Sequence, residues 1–167
     1  SLSFQQPWAV MAGNFTYLLL AGAGIALVLR TSNLVVIIAV LLASRGILGP
    51  LSMVPLILGA NLGSGLSSLF RSFFKNRDTC RLGICILVIH LLTTILFSVL
   101  SLMPREGTSL LLWFIDQVTP GSLFHPLREN VGFHIAMTHT FYNLVASLIF
   151  LVLPGIATGL ASLILPA

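Results

Sequence analysis

The sequence predicts an all-α integral membrane protein with three full spans and additional broken or re-entrant helices. The chain is 57% hydrophobic and 7% charged with a mean hydropathy of +1.06, whereas soluble domains are roughly 25% charged. Long apolar runs also alternate with short ones, which two polar interruptions separate. Because a soluble fold must still present polar surface, this surplus of apolar residues indicates lipid as its solvent.

The full spans are residues 8–29, 82–103 and 131–153. At about 1.5 Å per residue, each is long enough to cross a hydrocarbon core of roughly 30 Å. Trp8 suits an interfacial start of the first span. Residues 155–167 form a weaker apolar tail, which is typical of a packed or interfacial half-helix.

Charge sets the orientation. Half of the basic residues lie in the short segment that begins at Arg71 and ends at Arg81, so the positive-inside rule places this loop in the cytoplasm. Residues 104–130 carry mixed charge, and one span separates them from the basic loop, so we expect them outside. The predicted location is a bacterial inner membrane or a plasma membrane. Runs of aromatic residues beside basic ones are absent from the sequence, which argues against nucleic-acid binding.

The first polar interruption is Arg30-Thr31-Ser32-Asn33, after which an apolar run over residues 34–43 is too short to cross a membrane. A guanidinium cannot lose its proton, so placing it beside an apolar span has a free-energy cost. Arg30 either snorkels to the interface, binds an oxyanion with the neighbouring hydroxyls, or stands where a transported cation would otherwise sit.

The second interruption is the glycine-rich run of residues 59–65. Gly59 and Gly63 form a GxxxG pattern, which is typical of close helix packing. Asn61, Ser64 and, further on, Ser67 offer neutral oxygen and N–H groups that suit sodium or an anion at a broken helix. The residues alone leave both interpretations open.

Polar residues also lie on one face of each of the two later spans. One stripe consists of His90, Thr94, Ser98 and Ser101, at spacings of four, four and three residues, and it favours either interhelical hydrogen bonds or the lining of a pore. His139 and Asn143 share a face of the last span and have the same two interpretations. All four carboxylates lie in predicted loops, so the predicted spans contain no acidic side chain. Proton relay and intramembrane proteolysis, which use acidic groups within the membrane, are therefore disfavoured. An enzyme is not expected.

Three segments together resemble a known family. Residues 58–65 resemble the G-A-N-[IL]-G-[ST] signature of the sodium/phosphate cotransporter (Na/Pi cotransporter II-like) family. The first interruption lies where that family has Q-S-S-[SN], and residues 138–143 resemble its A-H-x-x-F-N helix. The three segments follow in the family's order, and the resemblance extends over roughly residues 17–153, which is most of the chain.

The resemblance implies one half of an inverted-repeat transporter, with residues 1–167 as a single transmembrane repeat that is most similar to the C-terminal one. Substrate and sodium would meet between two repeats by alternating access. The second repeat would belong to the same full-length chain or to another subunit, and Ser1 at the start favours a fragment of a longer protein. The remaining partners would be the lipid bilayer and inorganic phosphate.

The resemblance also implies site residues. Substrate and ion contacts would come from the two interruptions and the last span: Arg30, Thr31, Ser32, Asn33, Asn61, Ser64, Ser67, His139 and Asn143. Sodium ligands would be Thr31, Ser32, Asn61 and Ser64. Arg30 departs from the family's glutamine, and this departure puts ordinary sodium or phosphate coordination in doubt. The expected function is therefore half of a sodium-coupled phosphate transporter, with a non-transporting structural or regulatory membrane subunit as the alternative.

Overall fold

A computed structural model describes residues 7–123, 130–152 and 154–164 of the chain. Within these ranges the protein is mostly helical. Its elements are α1 (Pro7–Leu29), α2 (Ser32–Ser44), α3 (Pro50–Ser72), α4 (Arg77–Leu102), β1 (Pro104–Arg105), β2 (Thr108–Ser109), α5 (Leu110–Val118), α6 (Val131–Val152) and α7 (Pro154–Ile164). The short antiparallel pair β1–β2 is a departure from the all-α prediction. Residues 124–129 of the predicted outer connection lie outside the described residues.

Three described helices are long and apolar enough to cross a membrane, namely α3, α4 and α6. Helices α4 and α6 have the length and composition of spans, which confirms the predictions for residues 82–103 and 131–153 at that level. The predicted first span forms helix α1. Side chains are described only for Asn14–Leu29 of this helix, and this part is shorter than a full span. Many large apolar side chains on these helices are exposed, as expected of surfaces that face hydrocarbon.

The first predicted interruption is present. Helix α1 ends at Leu29, and Arg30 has a φ of 60°, in the left-handed region that ends helices. Thr31 is extended, and its hydroxyl accepts a hydrogen bond from the backbone N–H of Asn33 at 3.2 Å. This N-cap starts α2, a helix of 13 residues, which agrees with the short apolar arm predicted after the interruption.

The second predicted interruption is wrong. Helix α3 runs without a break through residues 59–65 and is 23 residues long. Glycine permits an unwound backbone but does not impose one, and a continuous helix satisfies every backbone group internally where water is absent. The hydroxyl of Ser64 donates to the backbone oxygen of Asn61 at 2.8 Å, which is a helical contact. The residues predicted to line an unwound segment therefore lie on a helix face.

The glycines of α3 instead let two helices touch. A Cβ atom on Gly59 would collide with the backbone oxygen of Leu19, and one on Gly63 would collide with that of Ala23. Both pairs advance by four residues along each helix, so α1 and α3 lie side by side and run in the same direction. The GxxxG interpretation of this segment is confirmed.

Helices α2 and α4 run opposite to the helices they pack against. A Cβ atom on Gly65 of α3 would meet the ring of His90, and one on Gly83 of α4 would meet Ser72. Helix α2 contacts α6 at two points: Asn33 meets His139, and a Cβ atom on Gly132 would meet Val40. This arrangement brings the first turn of α2, the middle of α3 and the middle of α6 together.

Candidate functional site

Four polar side chains from three helices meet around one imidazole, and we call them the amide–histidine cluster: Asn33, Asn61, His139 and Asn143. The Nε2 atom of His139 lies 3.1 Å from Asn33 Oδ1 and 3.0 Å from Asn143 Nδ2. Its Nδ1 atom lies 3.4 Å from Asn61 Nδ2. Asn33, Asn61 and His139 are far apart in the chain, so only the tertiary fold brings them together. Asn143 follows His139 by one turn of α6.

The neighbours of His139 favour one tautomer. Asn61 Nδ2 is a donor, so the Nδ1 atom of His139 accepts, and its proton is carried on Nε2 and donated to Asn33 Oδ1. Asn143 then fits best with its amide turned so that the oxygen faces Nε2, because the two ends of an amide are interchangeable in shape. Asn33 and Asn143 thus hold the ring from one side and Asn61 holds it from the other.

The cluster leads from the surface to the interior. The side chain of Asn33 is exposed, those of His139 and Asn143 are half-buried, and Asn61 is fully buried at 0% exposure. The Asn61 amide nitrogen donates to the backbone oxygen of Ile57 at 3.0 Å. Its oxygen, Oδ1, is buried and accepts no hydrogen bond from the described residues.

An unpartnered buried carbonyl oxygen costs about 1–3 kcal/mol. Native structures keep few such groups, and those that remain often mark an ion or a ligand. A neutral oxygen at the inner end of a polar path is the kind of ligand that a hard cation prefers. Among the described residues, no three His, Cys, Asp or Glu side chains group to hold a metal ion, so any ion here would be held by amide and hydroxyl oxygens.

The other predicted sodium ligands contribute less. The hydroxyl of Thr31 already caps α2 through Asn33 N–H, and Ser32 is half-buried beside it. Within the described ranges, no hydrogen bond joins either residue to Asn61. Ser64 lies one turn from Asn61, and because its hydroxyl donates, the lone pairs of its oxygen stay available to a cation.

Arg30 and Ser67 lie in a different place. Both line an open pocket of about 460 Å³ at the ends of α1 and α3, and none of the cluster residues contributes to its wall. We call it the basic pocket, and its residues are Leu27, Arg30, Ser67, Phe70, Arg71, Phe74 and Lys75. The predicted site residues are therefore divided between two locations.

A second polar network, which the sequence did not single out as a site, joins α4 to α6 through Tyr142. The phenol donates to the backbone oxygen of His90 at 2.8 Å and lies 3.0 Å from the hydroxyl of Thr94. Because its one proton is used, it accepts from Thr94. The prediction of interhelical hydrogen bonding is confirmed for Thr94 and for His90, whose Nδ1 atom lies 3.3 Å from the phenol oxygen. It is wrong for Ser101, whose hydroxyl donates to Phe97 of its own helix at 2.7 Å. Tyr142 lies within the segment 138–143, and this membership was the only signal that could have found it.

Replacing Tyr142 with phenylalanine is expected to lower the free energy of unfolding by about 1 kcal/mol, since polar contacts between membrane helices contribute roughly 0.6–2 kcal/mol. Phenylalanine keeps the ring contact with Phe97, whose centroid lies 5.3 Å away. Equilibrium unfolding in mixed micelles measures the change. Tyr17→Phe is the matched control, because Tyr17 is 76% exposed. An equal change in both variants would contradict the assignment.

Comparison of the chain with models of known protein families, with curated proteins and with solved structures gives no match. The fold and the site therefore define the class: a helical protein with three described helices able to cross a membrane and a polar cluster packed between helices.

Proposed function

We propose that the chain is one half of a sodium-coupled inorganic phosphate transporter that binds its substrates at the amide–histidine cluster. The observation that carries this proposal is the meeting of Asn33, Asn61 and His139, with Asn143 beside them. These residues come from the three separate segments that resemble the cotransporter family. If the three segments form one binding site, their polar residues are expected to lie close together, and they do so here.

Sodium is assigned to the inner end of the cluster. The free Oδ1 atom of Asn61 supplies one neutral oxygen, and the nearby hydroxyl of Ser64 supplies a second. Uncharged oxygens suit a monovalent cation that must also leave again during each transport cycle. Further ligands would come from the second repeat or from the substrate.

Phosphate is assigned to the exposed end of the amide–histidine cluster, where Asn33 lies. The amide nitrogens of Asn33 and Asn143 offer N–H donors, which bind oxyanions, and the imidazole of His139 orients both amides through their oxygens. These side chains are partly exposed, so a bound anion would be reached from the surface. A second repeat, from the same full-length chain or another subunit, would cover this face and complete the site. No group of the substrate is transformed, so the protein acts without catalysis.

The orientation follows from charge. The basic residues at the end of α3 and the start of α4, from Arg71 to Arg81, lie on the cytoplasmic side in this proposal. Helices α1, α3 and α6 then run toward the cytoplasm, and α5 lies outside. The protein would reside in a bacterial inner membrane or a plasma membrane.

A second candidate is a non-transporting structural or regulatory membrane subunit of the same fold. One observation favours it: the glycines of the G-A-N segment pack against the backbone of α1, so they have a complete structural role without a ligand. In that case the cluster would hold helices together and bind no ion.

Uptake of labelled phosphate separates the two candidates. The full-length protein, reconstituted in vesicles, is expected to take up phosphate when an inward sodium gradient is present and not when sodium is replaced by potassium. The Arg30→Gln variant should keep this sodium dependence, because Arg30 lies in the basic pocket and not in the cluster. No sodium-dependent flux in either protein would contradict the transport proposal and favour the structural one.

A further inference from the structure

The basic pocket concentrates positive charge at one end of the molecule. Arg30 at the end of α1 and two residues at the end of α3, Arg71 and Lys75, line the same wall. Within the described ranges, none of these three cations forms an ion pair with a carboxylate. Three uncompensated cations around one opening attract an anion, and nothing in the proposed transport site accounts for them.

Two of these cations are guanidinium groups, and one is held in place. Arg71 donates to the hydroxyl of Ser68 at 3.0 Å and to that of Ser67 at 3.4 Å. A guanidinium that is already oriented presents its remaining N–H groups as a fork, which matches the oxygens of a phosphate group. The hydroxyls thereby lower the conformational entropy that binding would otherwise remove.

The rest of the wall is apolar. Leu27, Phe70 and Phe74 line the same pocket, and Phe74 is 91% exposed while Phe70 is 49% exposed. A phenyl ring has no polar group to hydrate, so exposed rings at the end of a membrane helix lie favourably against acyl chains. A ligand that fills this pocket therefore meets cations on one side and hydrocarbon on the other.

We propose that the basic pocket binds the phosphate headgroup of an anionic membrane lipid. Arg30, Arg71 and Lys75 contact the phosphate oxygens, and the acyl chains lie along the aromatic residues. Basic pockets of this kind on the cytoplasmic side of membrane helices suit anionic lipid headgroups. Free phosphate shares the headgroup chemistry, but it has no apolar part for Leu27, Phe70 and Phe74 to contact. This site is separate from the proposed transport site, and of that proposal it uses only the charge-based orientation.

The test measures lipid binding to the full-length protein in neutral detergent. Phosphatidylglycerol and phosphatidylcholine with identical acyl chains are titrated, and bound lipid is counted by native mass spectrometry. The variant Arg30→Gly removes one cation and also suits the left-handed φ of 60° at this position, so it is expected to stay folded. Arg77→Ala is the control, because Arg77 lies at the same end of the molecule but does not line the pocket.

We expect the wild type to prefer phosphatidylglycerol, and we expect Arg30→Gly and Arg71→Ala each to weaken its binding about fivefold, the effect of one basic residue near an anionic surface. Phosphatidylcholine binding should not change, and Arg77→Ala should behave as the wild type. An equal loss in Arg77→Ala would show a general charge effect and overturn the proposal. Displacement of phosphatidylglycerol by millimolar inorganic phosphate would overturn the lipid assignment in favour of free phosphate.

Discussion

Replacing Gly59 with alanine is expected to lower the free energy of unfolding by about 3 kcal/mol, the upper end of what one extra buried methyl usually costs. The added Cβ atom would collide with the backbone oxygen of Leu19. A backbone atom inside a helix cannot move aside as a flexible side chain can, so α1 and α3 must separate. Their separation loses packing along the whole contact.

Gly24→Ala is the matched control for this prediction. It is the same substitution in a helix of the same pair, but a Cβ atom there meets nothing within 4 Å. Because alanine favours a helix over glycine by up to about 1 kcal/mol, Gly24→Ala should leave stability unchanged or raise it. Equilibrium unfolding in mixed micelles, followed by helical circular dichroism, compares the two variants. Equal effects would contradict close packing at Gly59.

The double variant Gly59→Ala with Gly63→Ala sharpens the same test. Gly63 packs against Ala23 one turn further along the same contact. Once the first alanine has separated the helices, the second should cost less than it does alone, because neighbouring sites are not additive. Strict additivity would mean that the two glycines act independently, and it would contradict a shared helix interface.

How much of this structure the sequence predicts depends on whether the deciding contact is local. The end of α1 at Leu29 and the start of α2 are predicted, because the polar run Arg30 to Asn33 interrupts the apolar sequence, and the Thr31 cap found there is a local contact. The glycine-rich segment was predicted wrongly. Glycines are used both to unwind a helix and to let another helix approach, and only the position of α1 decides between the two.

Of the two polar sites in the structure, the amide–histidine cluster was expected from the sequence and the basic pocket was not. The convergence of Asn33, Asn61 and His139 followed from the order of the family-like segments and not from composition or periodicity. The basic pocket was not predicted, although each of its charges is visible in the sequence. Arg30 and Arg71 come together because α1 and α3 run in the same direction, and this parallel pairing has no signal in either helix alone.

Replacing Asn61 with leucine is expected to weaken sodium-dependent phosphate uptake by roughly 10–100-fold, since one polar contact to a charged group contributes roughly 1.5–3 kcal/mol. Leucine has a similar size but no oxygen for sodium. Stability should behave differently. The oxygen that is removed accepts no hydrogen bond from the described residues, so its loss relieves a burial cost, and this gain offsets the lost hydrogen bonds of the amide nitrogen to Ile57 and His139. The free energy of unfolding should therefore stay within about 1 kcal/mol of the wild type.

These two readouts together separate ion binding from packing. Thr93→Val is the control, because Thr93 is fully buried on α4 and its hydroxyl donates to Ile89 of its own helix at 2.8 Å. It removes a buried polar group away from the cluster, so sodium-dependent uptake should persist. If Asn61→Leu keeps its sodium dependence, Asn61 is not an ion ligand. If both variants lose uptake, the cause is a general change in the helix bundle. Only a loss confined to Asn61→Leu with stability retained assigns the Asn61 amide to the transport site, through its free oxygen and through the nitrogen that holds His139.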